Sequence, residues 1–191
     1  MNESELIQHI LNGNRDAFRS IVEKYEDIIF RTCMGFVHNK EDAEDITQEV
    51  LVNVYQSLNS FKGQSAFSTW VYRIATNASL NFVRNKSKRN FIQRIESIFG
   101  FEKTQDIPQL KSEADNPEQL MINKERSERL FNILNTLPEK QRIAFTLSKY
   151  DDLSQHEIAL IMDITEGAVE SLIQRAKANL QKKLSTFKEN K

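Results

Sequence analysis

The chain holds little of what tight turns and cross-links require. Five glycines and three prolines among 191 residues are too few for an all-β fold, whose many short strands each need a turn. No glycines gather into a phosphate-cradling loop. The single cysteine, Cys33, excludes an internal disulfide and fits a reducing compartment. It stands in an apolar helical pattern, where a buried structural thiol is expected rather than a reactive one. His9, His38 and His156 are scattered, without the spacing of metal ligands. The beginning, Met1 to Glu5, is acidic and lacks the apolar centre of a signal peptide. No apolar run is long enough to cross a bilayer, and no nucleophile–base pair stands out. These absences point away from an enzyme and from membrane insertion, toward a cytoplasmic chain that needs neither cofactor nor metal.

What is present is helical. Hydrophobic residues make up 39% and charged residues 28%, which suits a folded chain rather than a disordered one. The net charge of −1 argues mildly against a nucleic-acid binder, but local charge is what a phosphate backbone feels. Apolar residues recur at helical spacing along four segments of the first half. The first carries Leu6, Ile7, Ile10 and Leu11 and stops at Asn12-Gly13-Asn14. The second aligns Phe18, Ile21, Val22, Tyr25, Ile28 and Ile29 and ends near His38-Asn39-Lys40. The third aligns Ala43, Ile46, Val50, Val54 and Leu58. After a polar loop, the fourth aligns Phe67, Val71, Ile74, Ala75, Ala78 and Phe82. Four such helices can close one small core.

Beyond about Arg94 the period decays. Residues 95–116 contain Gly100, Pro108 and five acids (Glu96, Glu102, Asp106, Glu113, Asp115) against two bases, Lys103 and Lys111, and are expected to form an acidic linker. A second unit, 117–191, begins at Asn116-Pro117, an N-cap followed by a proline in the first helical position. Leu130, Ile133, Leu134 and Leu137 form its first stripe. Pro138 opens a helix with Ile143, Ala144, Leu147 and Tyr150. Ser154-Gln155-His156-Glu157 is a capping box that starts a short helix ending near Met162. Thr165 caps the last helix, which aligns Val169, Leu172, Ile173, Ala176 and Leu180. The expected fold is all-α: two small helical domains, 1–94 and 117–191, joined by a flexible linker.

Three groups of residues carry chemistry. A short capped helix, a tight turn bearing Ile164 and a longer amphipathic helix form a helix-turn-helix pattern. Small Ala159 lies at the expected crossing. The last helix offers Glu166, Gly167, Glu170, Ser171, Gln174 and Arg175 to base edges in a major groove. Lys177, Lys182 and Lys183 suit phosphates. An ordinary helical hairpin has the same outline. The fourth helix sets Arg73, Asn77, Asn81, Arg84 and Lys88 on the side away from its core stripe, and Arg84 to Arg89 contains no acid. Upstream lie Phe61, Phe67, Trp70 and Tyr72. Bases interleaved with aromatics suit single-stranded nucleic acid, and a loop from Ser60 to Ala66 with Lys62, Gln64 and Ser65 can hold an unstacked base. Phe67 belongs to the core stripe and Trp70 more often serves a core than a platform. Phe61 is the better candidate for contact, although it can equally anchor the loop. The third helix opens on Glu41-Asp42-Ala43-Glu44-Asp45. Its Asp42, Asp45 and Glu49 share a face that can dock a basic helix, or simply favour the helix dipole.

Together these residues resemble the sigma-70 family, in its extracytoplasmic-function (ECF) subgroup. Asp42 through Val50, Ser60-Phe61-Lys62-Gly63 and Phe67 through Asn77 look like family region 2. Leu137 through Arg142, Ser154 through Met162, Glu166 through Ser171 and Arg175-Ala176-Lys177 look like region 4. The resemblance implies a factor that directs core RNA polymerase to promoters. Asp42, Asp45, Gln48 and Glu49 would dock on the β′ clamp coiled coil. Phe61, Lys62, Gln64, Ser65, Arg73, Asn77, Asn81, Arg84 and Lys88 would open and hold the −10 element. Gly167, Glu170, Ser171, Gln174, Arg175 and Lys177 would read the −35 element, with the β flap as a second polymerase contact. The linker would thread toward the active channel, and an anti-sigma factor would hold the protein inactive. Glu170, and often Leu172, stand where many members carry a basic residue. A stand-alone helix-turn-helix regulator is the main alternative. It explains the residues after Ser154 but not those from Phe61 to Arg89. A helical adaptor with merely solvated basic patches is the other.

Overall fold

Among the described residues, helical periodicity becomes helix where the sequence marks it. The computed structural model describes residues 3–98 and 128–189, with the side chains of 88–98 and 186–189 outside the description. Helix α1 (Glu3–Leu11) leads through a 3-10 turn (Arg15–Ala17) into α2 (Phe18–Val37) and α3 (Lys40–Ser57). A second 3-10 turn (Leu58–Ser60) and a loop then lead to α4 (Phe67–Ile98). After the segment outside the description come α5 (128–135), α6 (Glu139–Tyr150), α7 (Gln155–Met162) and α8 (Glu166–Glu189).

Two residues reverse the chain between α2 and α3. His38 takes a left-handed conformation (φ 51°), and its amide donates to the Met34 carbonyl at 2.9 Å. Asn39 is extended and its side chain accepts from the Asp42 amide at 2.9 Å, which satisfies one of the orphan donors of α3. The first core then fills between α1 to α4 with Ile21, Ile29 and Phe36, Ile46 and Val50, and Val71. Cys33 is fully buried within it, and burial pushes its thiol up, as expected of a structural cysteine. Lys24 and the Tyr25 hydroxyl both donate to Glu3, each at 2.5 Å, tying α1 to α2.

The second core is smaller. Leu147, Ile158 and Val169 are fully buried at its centre, and Leu134, Leu137 and Ala176 form a separate small cluster of the same unit. The capping box forms in full: the Glu157 amide donates to Ser154 Oγ at 3.2 Å, and the Ser154 amide donates to the Glu157 carboxylate at 2.9 Å. Asp163, left-handed at φ 56°, makes the turn that carries Ile164 into the core between α7 and α8.

Two expectations shift. Of the stripe expected on α4, Phe67, Val71 and Ala75 are buried, but Ile74, Ala78 and Phe82 are only half-buried. Tyr72, Thr76, Ser79, Leu80 and Val83 are buried instead. The reason is tertiary: α4 packs on α2 and α3 and also on α7, so its covered surface is wider than one stripe. Helix α4 also runs to Ile98, four residues past the boundary expected at Arg94. Gln93, Arg94 and Glu96 are good helix formers, so the end of an apolar period does not end the helix. The remainder of the expected linker and the Asn116-Pro117 cap lie outside the described residues.

The two units touch along α2–α6 and α4–α7. Tyr72 of α4 belongs to the second core, beside Ile158 and Ile161. On α6, Thr146 and Arg142 are buried along with Ala144 and Leu147, because this helix is covered by α2 as well as by its own unit.

Candidate nucleic-acid and polymerase interfaces

The acidic face of α3 is divided by its contacts. Asp45, Gln48 and Glu49 are exposed. Asp42 is half-buried and accepts from Lys86 of α4 at 2.6 Å; the same ammonium lies over the Phe82 and Phe131 rings. Asp42 therefore braces α3 against α4, while its three companions stay exposed. Val52 and Tyr55 of the same helix are exposed as well.

The loop between the second 3-10 turn and α4 exposes Lys62, Gly63 and Gln64, with Ser65 half-buried. Gly63 has φ +69°, which favours glycine. Phe61 packs edge-on against Phe67 at 5.2 Å and tilted against Trp70 at 5.4 Å between ring centres. Both Phe61 and Trp70 are half-buried against the first core. Phe61 thus anchors the loop while keeping part of its ring outside.

Along α4, Asn77 and Asn81 are exposed and line a shallow groove with Glu49, Asn53 and Gln56 of α3. Arg73 is occupied: its Nε donates to the Ile161 carbonyl at 3.1 Å and its NH2 group to the Leu160 carbonyl at 2.6 Å. Arg84 donates twice to Glu139 of α6, at 3.1 and 2.5 Å, and once to Asn81 Oδ1 at 3.3 Å. The side chain of Lys88 lies outside the described residues.

On α8 all six expected residues, Gly167, Glu170, Ser171, Gln174, Arg175 and Lys177, are exposed. Gln174 donates to Glu170 at 3.1 Å, so this carboxylate is held along the helix. Glu166 pairs with His156 of α7 at 2.8 Å. Leu172 is half-buried against the second core, which accounts for an apolar residue there. Lys177 borders an apolar groove formed with Phe145, Leu180 and Leu184.

Sequence reasoning missed the polar contacts between the units, because each partner is ordinary in its own helix. The Thr32 hydroxyl lies 2.9 Å from the Ile28 carbonyl and 3.1 and 3.2 Å from the two Asp151 carboxylate oxygens. It has one proton to give; when that proton goes to Ile28, Asp151 can bond Thr32 only as a protonated acid. Burial pushes the Asp151 carboxyl up to about 6, with Asp152 adding and Thr32 and Arg31 opposing. Burial likewise pulls His38 down to about 4, and Nδ1 of its ring lies 3.1 Å from the Tyr150 hydroxyl. The two titrations oppose each other. The packed state favours protonated Asp151, so packing strengthens as pH falls from about 6 toward the ordinary 3.8. It favours neutral His38, so packing weakens as pH falls from the ordinary 6.5 toward about 4. Asp151→Asn is expected to leave a protein whose stability declines on acidification through this window. His38→Gln is expected to leave one whose stability rises. Thermal melts of both variants between about pH 4 and 7 check this, and identical pH profiles would contradict it.

Known proteins resemble this chain in sequence and in fold. Residues 21–89 match the family model for sigma-70 region 2, and residues 127–180 match that for sigma-70, region 4. The chain is 34% identical over 184 residues to the ECF RNA polymerase sigma-E factor of Escherichia coli (strain K12), covering 96% of this chain and 95% of that one. It is 33% identical over 178 residues to the ECF RNA polymerase sigma factor SigW of Bacillus subtilis (strain 168), covering 93% and 94%. In fold it is similar to CnrH in complex with the cytosolic domain of CnrY (TM-score 0.62, 20% identity, 95% and 96% covered). It is also similar in fold to the sigma factor RpoE in complex with the anti-sigma factor NepR from Bartonella quintana (TM-score 0.53, 20% identity, 88% and 96% covered). Among the described residues no helix is long and apolar enough to cross a membrane. With both regions matched in order and relatives similar over nearly their whole length, this chain belongs to the sigma-70 family as an ECF sigma factor, a non-enzymatic RNA polymerase subunit that directs transcription initiation.

Proposed function

We propose that three separate exposed faces divide the work of initiation. Asp45, Gln48 and Glu49 dock on the basic β′ clamp coiled coil, with Asp42 holding α3 in place for them. Lys62, Gln64, Ser65 and the outer edge of Phe61, together with Arg73, Asn77, Asn81, Arg84 and Lys88, take the −10 element as single strand. Aromatic edges and short polar groups suit unstacked bases, and the guanidinium groups suit phosphates. The exposed side of α8, from Gly167 to Lys177, enters the −35 major groove. Its Glu170 accepts from a cytosine amino group rather than pairing with phosphate. The apolar groove at Phe145, Leu180 and Leu184 receives the β flap. On this reading 1–94 is the region 2 domain, 95–116 an acidic linker whose first four residues continue α4 and which is directed toward the polymerase channel, and 117–191 the region 4 domain. The protein acts in the cytoplasm, where the polymerase is.

The observation that carries the reading is the segregation of acids, of bases with aromatics, and of the helix-turn-helix face onto distinct surfaces. NepR, the partner in one structure of similar fold, is an anti-sigma factor, and a partner of that class is proposed here too. Run-off transcription from randomised promoters, with core polymerase and with or without the protein, is the test. Transcripts that depend on the protein and share two upstream elements support the assignment, whereas transcripts sharing only one element remove one of the two DNA faces. Arg73→Ala combined with Asn77→Ala is expected to lower open-complex formation about tenfold while duplex binding by the holoenzyme changes far less. Permanganate reactivity of the promoter bubble measures the first, and equal reactivity in variant and parent would sink the assignment.

A further inference from the structure

A cleft of ≈ 360 Å³ lies where α4, α6 and α7 meet, a volume within the ~300–1,000 Å³ of small-ligand pockets. We propose that it binds a small zwitterion, a free amino acid with an apolar side chain. The inference does not rest on the DNA assignments above: Thr76 and Lys140, the residues that carry it, belong to none of the three proposed faces.

Thr76 of α4 lines the cleft and is only 4% exposed, yet its hydroxyl finds no hydrogen-bond partner among the described residues. A buried polar group is rarely left unpaired. Beside it, α6 begins at Glu139 and Lys140, which also line the cleft. Pro138 stands in the N-cap position and gives no side-chain bond. The first amides of α6, at the positive end of its dipole, are therefore available to an anion. Lys140 is exposed and adds a full charge of the same sign. Arg73 spends two N–H groups on the Leu160 and Ile161 carbonyls and keeps others for a ligand.

The opposite sign is present too. Asp163 is exposed and closes the carbonyl end of α7, where the dipole is negative. Glu139 gives one carboxylate oxygen to Arg84 and retains the second. Ile143, Ile161 and Met162 supply apolar wall. This distribution selects among ligands. A polyanion such as a nucleotide meets Asp163 and Glu139, a simple cation meets Arg73 and Lys140, and an uncharged apolar molecule leaves the Thr76 hydroxyl unpaired. A zwitterion answers both signs: its carboxylate at Thr76, Lys140 and the first amides of α6, its ammonium at Asp163, and its side chain on the apolar wall.

The test is an NMR titration of the full, nitrogen-15-labelled chain with L-leucine and, separately, L-phenylalanine. Saturable shifts of the Thr76, Lys140 and Asp163 amide signals are expected with at least one of them. Thr76→Val and Lys140→Glu are each expected to weaken binding about tenfold, the loss for a hydrogen bond to a charged group. Neither change threatens the fold. The first removes a hydroxyl that has no partner, and the second places an acid in the first turn of α6, where the dipole favours it. N-acetyl-L-leucine, which lacks the ammonium, and L-leucinamide, which lacks the carboxylate, are each expected to bind about tenfold more weakly than leucine. The absence of saturable shifts with either amino acid overturns the site. Shifts that survive both variants unchanged place the binding elsewhere and overturn it as well. N-acetyl-L-leucine or L-leucinamide binding as tightly as leucine overturns the zwitterion as its ligand.

Discussion

Charge reversal at both Asp45 and Glu49 of α3 to lysine is expected to lower affinity for core RNA polymerase about a hundredfold, within the range for losing close charge pairs at an interface. Both carboxylates are exposed and make no hydrogen bond or ion pair among the described residues. They lie in the second and third turns of α3, past the first turn where acids stabilise the helix dipole. The fold should therefore survive, and an unchanged melting temperature would show it. Asp42 is a poor choice for this experiment. It accepts from Lys86 at 2.6 Å, so reversing it would repel Lys86 and loosen α4 from α3, and lost docking would be confused with lost structure. A titration of labelled core with the double variant, repeated at rising salt, gives the answer. Lost affinity with a flattened salt dependence supports the docking face, since exposed charge pairs are screened. Full affinity would move polymerase docking off α3, and the apolar Val52 and Tyr55 beside these acids would not rescue the charge argument.

Leu147→Ala is the second large effect. Leu147 is fully buried at the centre of the second core, and truncating such a leucine costs about 2–5 kcal/mol. A unit of this size buries too little surface to absorb that loss. The region 4 unit is expected to melt more than about 10 °C earlier, while the first core, which Leu147 does not enter, holds. Calorimetry should then show two transitions where the parent shows them closer together or merged. Val50→Ala, fully buried in the first core, is the matching control and should lower the other transition. If Leu147→Ala instead lowers a single undivided transition, the units unfold as one, with Tyr72 shared between the cores as the physical link.

Much of this was legible in the sequence because helices write their packing at a fixed period. The capping box at Ser154 and Glu157, the Asn39 turn after α2, the inward Ile164 and the exposed side of α8 depend on residues within a few positions of each other, and local rules place them. Family motifs at Asp42 to Val50, Phe67 to Asn77 and Glu166 to Lys177 then carried the family itself. The tertiary structure decided what no window along the chain contains. It paired Asp42 with Lys86, 44 positions away, so that this acid also braces α3 against α4. It seated Phe61 on Phe67 and Trp70 as an anchor. It gave α4 a buried face wider than its apolar stripe, and it joined Arg73 to Leu160 and Ile161 and Thr32 to Asp151. Those contacts depend on how two amphipathic units present their remaining surfaces to each other. That is set by shape and by pairings across more than eighty residues of chain, and helical periodicity says nothing about them.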